Sequence, residues 1–506
     1  MEDIYQVPDS EGKAEVADRF RVMELRSGRR VRRSPPPRRV RSRRAPCVGA
    51  DDRLSALPDD MLLLVLARLR CARSAARTGI LSRRWRDLWT HLPDLTFRDV
   101  APAKIEAALA RMASSPSVPA RLEIDIPQIH HYADVARLGH FLDAVARFSP
   151  RQLLFSYRYN RYMDLHLPCF PHTTSIEING DVDIFIKKLP SGEFSALERL
   201  SLGGARVKAE IDTLVTRCPR LRELRLVTCT FDIKVHSLSL QTLDVSSDCV
   251  WISSIDIMTP MLKQLELKIE TDTDLSVSIS APMVEKVEWF RSFEGTNLLF
   301  GFWCLKKMVL RTADSFRDGD YWRKEDPSVH VLCLEIMASD EWDNEFDLPQ
   351  DVEFAQEIEK LPVSNFSVFK IDIETSGHVF GALVWRLLGL HQICSATKRL
   401  EVICHGGRQA CQENCPCDEP KNWRCQSISL ARLEEVHMKY FTGQDHEHDV
   451  LKLILRSSPM LNRVTLKLVP EFGGCIKKIY NTFLVYADVK VYVYFNSGEL
   501  VPPPSD

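Results

Sequence analysis

Five cysteines and one histidine fall within 22 residues, as Cys404-His405, Cys411, Cys415-Pro416-Cys417 and Cys425. Thiolate and imidazole are zinc ligands, and four of them around a tetrahedral ion would clamp a segment that has little apolar content of its own. The step from Cys415 to Cys417 is C-x-C where the usual knuckle is wider, so a loop without metal is the other reading of the same residues. No cofactor is expected and no metal is assigned firmly; the six residues are the candidates for one.

Elsewhere the types and spacings that carry catalysis are missing. A nucleotide site would need a glycine-rich loop at a strand-to-helix step, and neither G-x-x-x-x-G-K-S/T nor G-x-G-x-x-G occurs. There is no G-x-S-x-G elbow, and His446-Glu447-His448 lacks the spacing that sets two imidazoles on one helix face. His130-His131 and His166 read as strand-end or surface residues rather than bases. The chain is expected not to be an enzyme.

The elements that would position any site come from a chain of 506 residues, 45% hydrophobic, enough for large cores and two or three domains. The net charge is −2, but residues 19–44 carry 12 Arg and one Glu, +11, which leaves −13 for the rest. Nucleic-acid coating needs positive charge spread along a face, so any polyanion affinity would sit in this tail. Residues 1–50, rich in Arg and Pro, have no apolar periodicity and are expected to be disordered. Within them Arg29-Arg30-Val31-Arg32-Arg33 and Arg41-Ser42-Arg43-Arg44 fit a nuclear-import signal, or a solvated tail with no reader. The richest apolar runs, 297–305 and 378–385, fall short of the roughly 18 residues a membrane span needs. The acidic opening Met1-Glu2-Asp3-Ile4-Tyr5 does not look like a secretory signal. Fifteen Cys therefore read as reduced thiols, and nucleus and/or cytoplasm is the expected location.

Residues 51–98 form a compact unit. Leu57-Pro58-Asp59-Asp60 supplies a helix start, with Pro where no amide is needed and acids against the helix dipole. The helix that follows, Met61-Leu62-Leu63-Leu64-Val65-Leu66-Ala67-Arg68-Leu69, is apolar almost all round and must be covered on more than one side. Next, Ile80, Leu81, Trp85, Leu88 and Trp89 would share one stripe of a second helix. Fewer than 50 residues cannot bury all of this, and the surplus implies a partner surface. Leu57-Pro58-Asp59-Asp60, Arg77-Thr78, Leu81-Ser82-Arg83-Arg84-Trp85-Arg86 and Leu88-Trp89 closely resemble an F-box. The competing reading is a small structural bundle with the same residues as core. Arg70 stands where many plant members of the family have Pro, and a looser turn between helices is expected there.

From about residue 121 short strand-like runs recur. Leu197-x-x-Leu200-x-Leu202, Leu221-x-x-Leu224-x-Leu226, Leu240-x-x-Leu243-x-Val245, Leu262-x-x-Leu265-x-Leu267, Val284-x-x-Val287-x-Trp289 and Leu305-x-x-Met308-x-Leu310 share one template. Their first positions step by 24, 19, 22, 22 and 21 residues, the period of leucine-rich repeats, with one strand per repeat. Weaker copies stand at Leu122-Glu123-Ile124, Ile176-Glu177-Ile178, Leu332-Cys333-Leu334 and Leu400-Glu401-Val402. The alternating Leu positions would point into a shared core while the residue between them faces an exposed inner surface. A plain α/β domain with strands of this length is the alternative. Between 311 and 356 the chain turns acidic and aromatic, as an inserted binding loop or a solvated insertion would.

Residues 428–495 resemble the FBD domain that closes many plant F-box proteins with leucine-rich repeats. The likeness is carried by Leu433 to Gly443, Leu451-Lys452-Leu453-Ile454-Leu455, Ser458-Pro459-Met460-Leu461 and Val464-Thr465-Leu466, read as a strand, a helix beginning near His448 and a second strand. The chain is thus identified as similar to the plant F-box/LRR/FBD family. Cys415-Pro416-Cys417-Asp418 followed by Pro420-Lys421-Asn422-Trp423 also resembles the linker of grass members. The expected fold class is α/β: the helical F-box, a degenerate repeat solenoid over 99–395, a Cys-rich linker over 396–427, the FBD-like cap and a disordered tail over 496–506.

The resemblance implies docking on a Skp-type adaptor and, through it, on cullin and RING subunits of an SCF ubiquitin ligase. Its expected anchors are Leu57, Pro58, Leu62, Leu66, Leu81, Trp85 and Leu88. An unknown protein substrate would be held by the repeats or the FBD, with catalysis by proximity and the thioester chemistry on other subunits. A repeat scaffold acting outside ubiquitylation is the second reading, and nucleic-acid binding by the Arg-rich tail the third.

Overall fold

The structure is a computed structural model that describes residues 57–113, 118–126, 141–158, 163–164, 166–180, 184–186, 192–203, 211–227, 232–247, 252–270, 275–293, 298–313, 329–338, 352–363, 366–406, 411, 415–470 and 476–504. The basic tail with its import signal, and the acidic and aromatic stretches 314–328 and 339–351, lie outside the described residues. The fold is mixed α/β around one large, mostly parallel sheet.

That sheet has 17 strands. In chain order they are β1 (Asp94–Arg98), β2 (Arg121–Ile126), β3 (Gln152–Tyr157), β4 (Ser175–Gly180), β5 (Arg199–Gly203), β6 (Glu223–Val227), β7 (Thr242–Ser247), β8 (Gln264–Glu270), β9 (Lys286–Ser292), β10 (Trp303–Thr312), β11 (His330–Ala338), β12 (Val368–Glu374), β13 (Arg399–His405), β14 (Glu435–Phe441), β15 (Arg463–Leu468) and β16 (Lys490–Tyr494), plus the two-residue Leu299–Phe300 beside β10. Each pairs with the next in sequence, and every pairing from β1 to β9 and from β11 to β16 is parallel.

Alternation explains the layering. Leu95, Leu122, Leu153, Ile176, Leu200, Leu224, Leu243, Leu265 and Val287 stand in register as one row across nine strands. All nine are buried. Because side chains alternate across a strand, a slip of one residue anywhere would turn that strand's apolar row to solvent. Backbone bonds between turns hold the step, as in Arg222 N–H to Glu198 O, Gln241 N–H to Arg222 O and Lys263 N–H to Gln241 O, each 2.8 Å.

Behind the sheet the chain returns in two ways. After β6, β7 and β8 it returns through Asp232–His236, Ser254–Met258 and Ser276–Ser280, a second parallel sheet of three strands whose Ile233, Val235, Ile255 and Ile257 are buried. Elsewhere short helices take this place: α3 (Pro102–Met112), α4 (Phe141–Ala146), α5 (Ile211–Thr216), α6 (Val352–Glu359), α7 (Gly381–Gly389), α8 (His391–Ala396), α9 (Asp445–Ser457) and α10 (Ile476–Phe483). They follow α1 (Asp59–Arg68) and α2 (Ala72–Arg77) of the N-terminal unit.

The sixth template copy differs from the other five. Leu305-x-x-Met308-x-Leu310 is a strand, β10, but it runs antiparallel to both β9 and β11. Gly301, with φ +62°, turns the chain directly back after Leu299–Phe300 instead of letting it cross behind the sheet. Here α6 contributes Glu357, which forms a buried ion pair with Arg291 of β9 and also meets Lys360 at 2.6 Å.

At the C-terminal end the helix expected near His448 begins at Asp445. Gln444 and Glu447 form a reciprocal capping box, and the Glu447 carboxylate also accepts from the Thr442 hydroxyl and the Gly443 amide. Residues 496–504 are not a free tail: Val501 is buried, its amide reaches Val493 O at 2.8 Å, and its carbonyl accepts from the Tyr480 hydroxyl at 2.7 Å. The stretch 396–427 likewise contains β13, inside the sheet.

Candidate functional site

The N-terminal unit is built on α1. Pro58 precedes it in extended conformation, and Asp59 and Asp60 fill its first turn. Leu62 and Leu66, one turn apart, are buried, whereas Met61, Leu64, Val65 and Leu69 are exposed. The helix ends with Arg70 at φ +48°, a left-handed cap whose amide reaches Ala67 O. Proline is fixed near −65° and cannot take that conformation, so the turn expected to be loose is a tight one that needs a residue other than Pro.

The second helix is shorter than its apolar stripe suggested. It stops at Arg77, continues as a 3₁₀ turn at Thr78–Ile80 and leaves Trp85 in a turn before a second 3₁₀ segment, Leu88–His91. Gly79 lies against the Arg86 backbone, where a Cβ would stand 3.1 Å from Arg86 Cα, so the chain doubles back there. That fold-back separates the residues expected on one stripe. Trp85, Leu88 and Trp89 point inward, while Ile80 and Leu81 are 90% and 63% exposed.

The seven residues read from the sequence as anchors divide by burial. Leu62, Leu66, Trp85 and Leu88 are core of this unit, and Leu57 is half-buried against it. Only Pro58 and Leu81 of the seven face outward. The exposed apolar residues are Met61, Leu64, Val65, Leu69, Ile80 and Leu81. Arg84 ties the two halves together, with Nε donating to Asp59 Oδ1 at 2.7 Å and Nη2 to Leu57 O at 2.6 Å.

The sheet face opposite the core is polar and charged. Ser201, Arg225, Asp244, Glu266 and Glu288 stand in register between the Leu rows. Arg225 meets Asp244 at 2.6 Å, Lys268 pairs with Glu266, and Arg311 reaches Glu288 at 3.8 Å. Partial burial and the neighbouring Glu266 push the Asp244 carboxyl up, against the pull of Arg225. Where the direction of β10 reverses, Lys307, Arg311, Cys333, Glu335, Lys370 and Asp372 line a shallow depression on this face. Farther along, Glu435 accepts from Arg399 at 3.0 Å, and burial together with Arg399 lowers the pKa of His437.

The six candidate metal ligands divide. Cys404 is buried in β13, and His405 at the end of that strand pairs with Asp372 at 3.0 Å. Cys425 is exposed at the end of a 3₁₀ turn. Cys411, Cys415 and Cys417 come together, and the residue that joins them is His378, just before α7. Burial pushes the Cys417 thiol up, and its Cys415 and Cys411 neighbours add to that. His378 lies 37 residues before Cys415, outside any local motif, so no spacing in the sequence pointed to it.

These features define a mixed α/β protein with an apolar helical unit at one end of a long parallel sheet. Comparison adds the class. The chain resembles plant F-box/FBD/LRR-repeat proteins. An Arabidopsis thaliana protein named for its F-box is 25% identical over 240 residues, 42% of this chain and 48% of that protein. An F-box/FBD/LRR-repeat protein of the same species is 25% identical over 288 residues, 52% of this chain and 64% of the relative. Another is 47% identical over 47 residues, 9% of this chain and 10% of the relative. The matches thus span about half to just under two thirds of the first relatives' own length. No protein-family model matches the chain. No solved structure matches it either.

Proposed function

We propose that the chain is the substrate-recognition subunit of an SCF-type ubiquitin ligase, in which residues 57–91 are an F-box docked on a Skp-type adaptor. The observation that carries the reading is the group of exposed apolar side chains Met61, Leu64, Val65, Leu69, Ile80 and Leu81 on a unit whose own core is already filled by Leu62, Leu66, Trp85 and Trp89. Six large apolar side chains left exposed on one small unit are a surplus of the kind a protein partner covers. The F-box name of the relatives supports the identity of the partner.

In this reading the parallel ladder is a leucine-rich-repeat solenoid, and its charged face, from Arg225 to Asp372, receives the client. Specificity there comes from charge placement: a client with the wrong sign opposite Asp244, Glu266 or Lys307 is rejected by unpaired charge. The chain performs no bond chemistry of its own and acts by holding client lysines near the conjugating subunits. The basic tail would direct part of the pool to the nucleus.

The test is co-purification of the full chain with a plant Skp-type adaptor, natural chain against Leu64→Asp/Leu81→Asp. Capture by the natural chain and its loss in the variant, with circular dichroism unchanged, are expected. Absence of capture by a folded natural chain would refute the ligase reading in favour of a repeat scaffold outside ubiquitylation.

A further inference from the structure

We infer that His378, Cys411, Cys415 and Cys417 form a tetrahedral zinc site that staples the segment after β13 to the start of α7. The inference is independent of adaptor docking and concerns a part of the chain far from the N-terminal unit in sequence.

The geometry is that of a metal cage. One ligand atom from each of the four residues lies within 4.8 Å of every other. A zinc ion with Zn–S bonds of about 2.3 Å holds its sulfurs about 3.8 Å apart at the edges of the tetrahedron, and a sulfur and an imidazole nitrogen about 3.5 Å apart. Cys411 Sγ and Cys417 Sγ are 3.7 Å apart, and Cys415 Sγ and His378 Nδ1 are 3.3 Å apart. Both observed edges match with no rearrangement beyond a few tenths of an ångström. The donor set, three thiols and one imidazole, is the Cys₃His set of structural zinc, which leaves no position open for substrate.

The surroundings hold these ligands from both sides. Cys417 is buried, with the backbone of Val379 nearby. The His378 ring packs against Phe302, centroids 4.5 Å apart. On the far side of Cys417, Asp418 accepts from Trp423 Nε1 and from Arg424, each at 2.8 Å. Trp423 is fully buried against Gly381, the first residue of α7, so tightly that a Cβ there would stand 2.2 Å from its ring. The four ligands are thus drawn from two segments that the Trp423 anchor already brings together. This answers the C-x-C objection: Cys415 and Cys417 are not a knuckle needing a second pair in sequence, because His378 comes from another turn of the fold.

The full chain, produced with zinc supplied and purified under a phosphine reductant without chelator, is expected to carry one equivalent of zinc by elemental analysis. Cobalt substitution is expected to give the intense ligand-field bands of tetrahedral cobalt with sulfur-to-cobalt charge transfer. Cys411→Ser, Cys417→Ser and His378→Asn should lose the metal, while Cys404→Ser and Cys425→Ser keep it. Should the ligand variants fail to fold, the cobalt spectrum of the natural chain still decides. A natural chain that is metal-free and gives no tetrahedral cobalt bands would overturn the site. So would metal retained in Cys411→Ser but lost in Cys404→Ser, or a Cys411–Cys417 disulfide that persists in the presence of the phosphine.

Discussion

Replacing an outward residue and an inward residue of the N-terminal unit should separate docking from folding. Complete burial of a Leu or Ile side chain is worth about 1.5–3 kcal/mol. Leu81 is 63% exposed and Ile80 90% exposed. Covering them with a partner would therefore contribute roughly 1–2 and 1.5–2.5 kcal/mol, and Ile80→Ala/Leu81→Ala should weaken adaptor binding by roughly 60- to 1600-fold. The same variant removes little from the unit's own core, so its unfolding midpoint should barely move. Leu66, 1% exposed, predicts the opposite pattern. Leu66→Ala should cost about 2–5 kcal/mol of stability and weaken binding only through the unfolded fraction. Calorimetric titration with a plant Skp-type adaptor, paired with thermal unfolding of each variant, reads both quantities. The reasoning fails if Ile80→Ala/Leu81→Ala binds within twofold of the natural chain while Leu66→Ala, still folded, does not bind.

Three further outcomes follow from the fold. Glu357→Ala removes the carboxylate from the buried Arg291 pair and should cost about 3–5 kcal/mol in denaturant unfolding, more than Lys360→Ala, which leaves that pair intact. Gly381→Ala forces a methyl into the Trp423 ring and should destabilise by about 1–3 kcal/mol, visible as a shift in tryptophan emission together with a lower melting temperature. Burial and then Arg399 lower the folded-state pKa of His437 below its ordinary value near 6.5. The unfolded chain therefore binds the extra proton, and the contribution of His437 is complete above about pH 6.5 and shrinks as pH falls below it. His437→Gln should flatten the melting temperature between pH 7 and 5.5; an unchanged slope would count against this assignment.

The parallel ladder was legible in the sequence because a two-residue alternation and a spacing near 22 residues are both dictated by backbone geometry. Leu224, Leu243 and Leu265 fall in register as that spacing requires. Strand direction was not legible, since Leu305-x-x-Met308-x-Leu310 reads the same whether the chain crosses behind the sheet or turns back at Gly301. The exposed apolar residues of the N-terminal unit were half legible. A helix apolar all round announces that it is covered twice, but not which side its own core takes, and the Gly79–Arg86 approach that turns Leu81 outward and Trp85 inward is a tertiary contact. His378 carried no signal, because only folding brings it to Cys411, Cys415 and Cys417.

The N-terminal unit also packs directly on the sheet, and the proposed function makes use of that contact. Helix α2 packs on β1, the first strand of the ladder, and Arg111 of α3 reaches back to Asp87 at 3.1 Å. A ladder of parallel strands spaced about 4.8 Å apart carries its far strands tens of ångströms from β1 along a fixed path. A ligase that works by proximity needs the client held at a constant vector from the adaptor, because a freely swinging receptor spreads the client lysines through a larger volume and lowers their effective concentration. A flexible linker between a helical unit and the sheet would forfeit that. Direct packing of α2 on β1, with its Ala72 and Ala75 buried, is the contact that would hold the exposed apolar residues at a constant distance from the charged face of the sheet. On this reasoning, lengthening the connection near residues 92–93 with a flexible insert should leave adaptor binding intact and reduce client ubiquitylation.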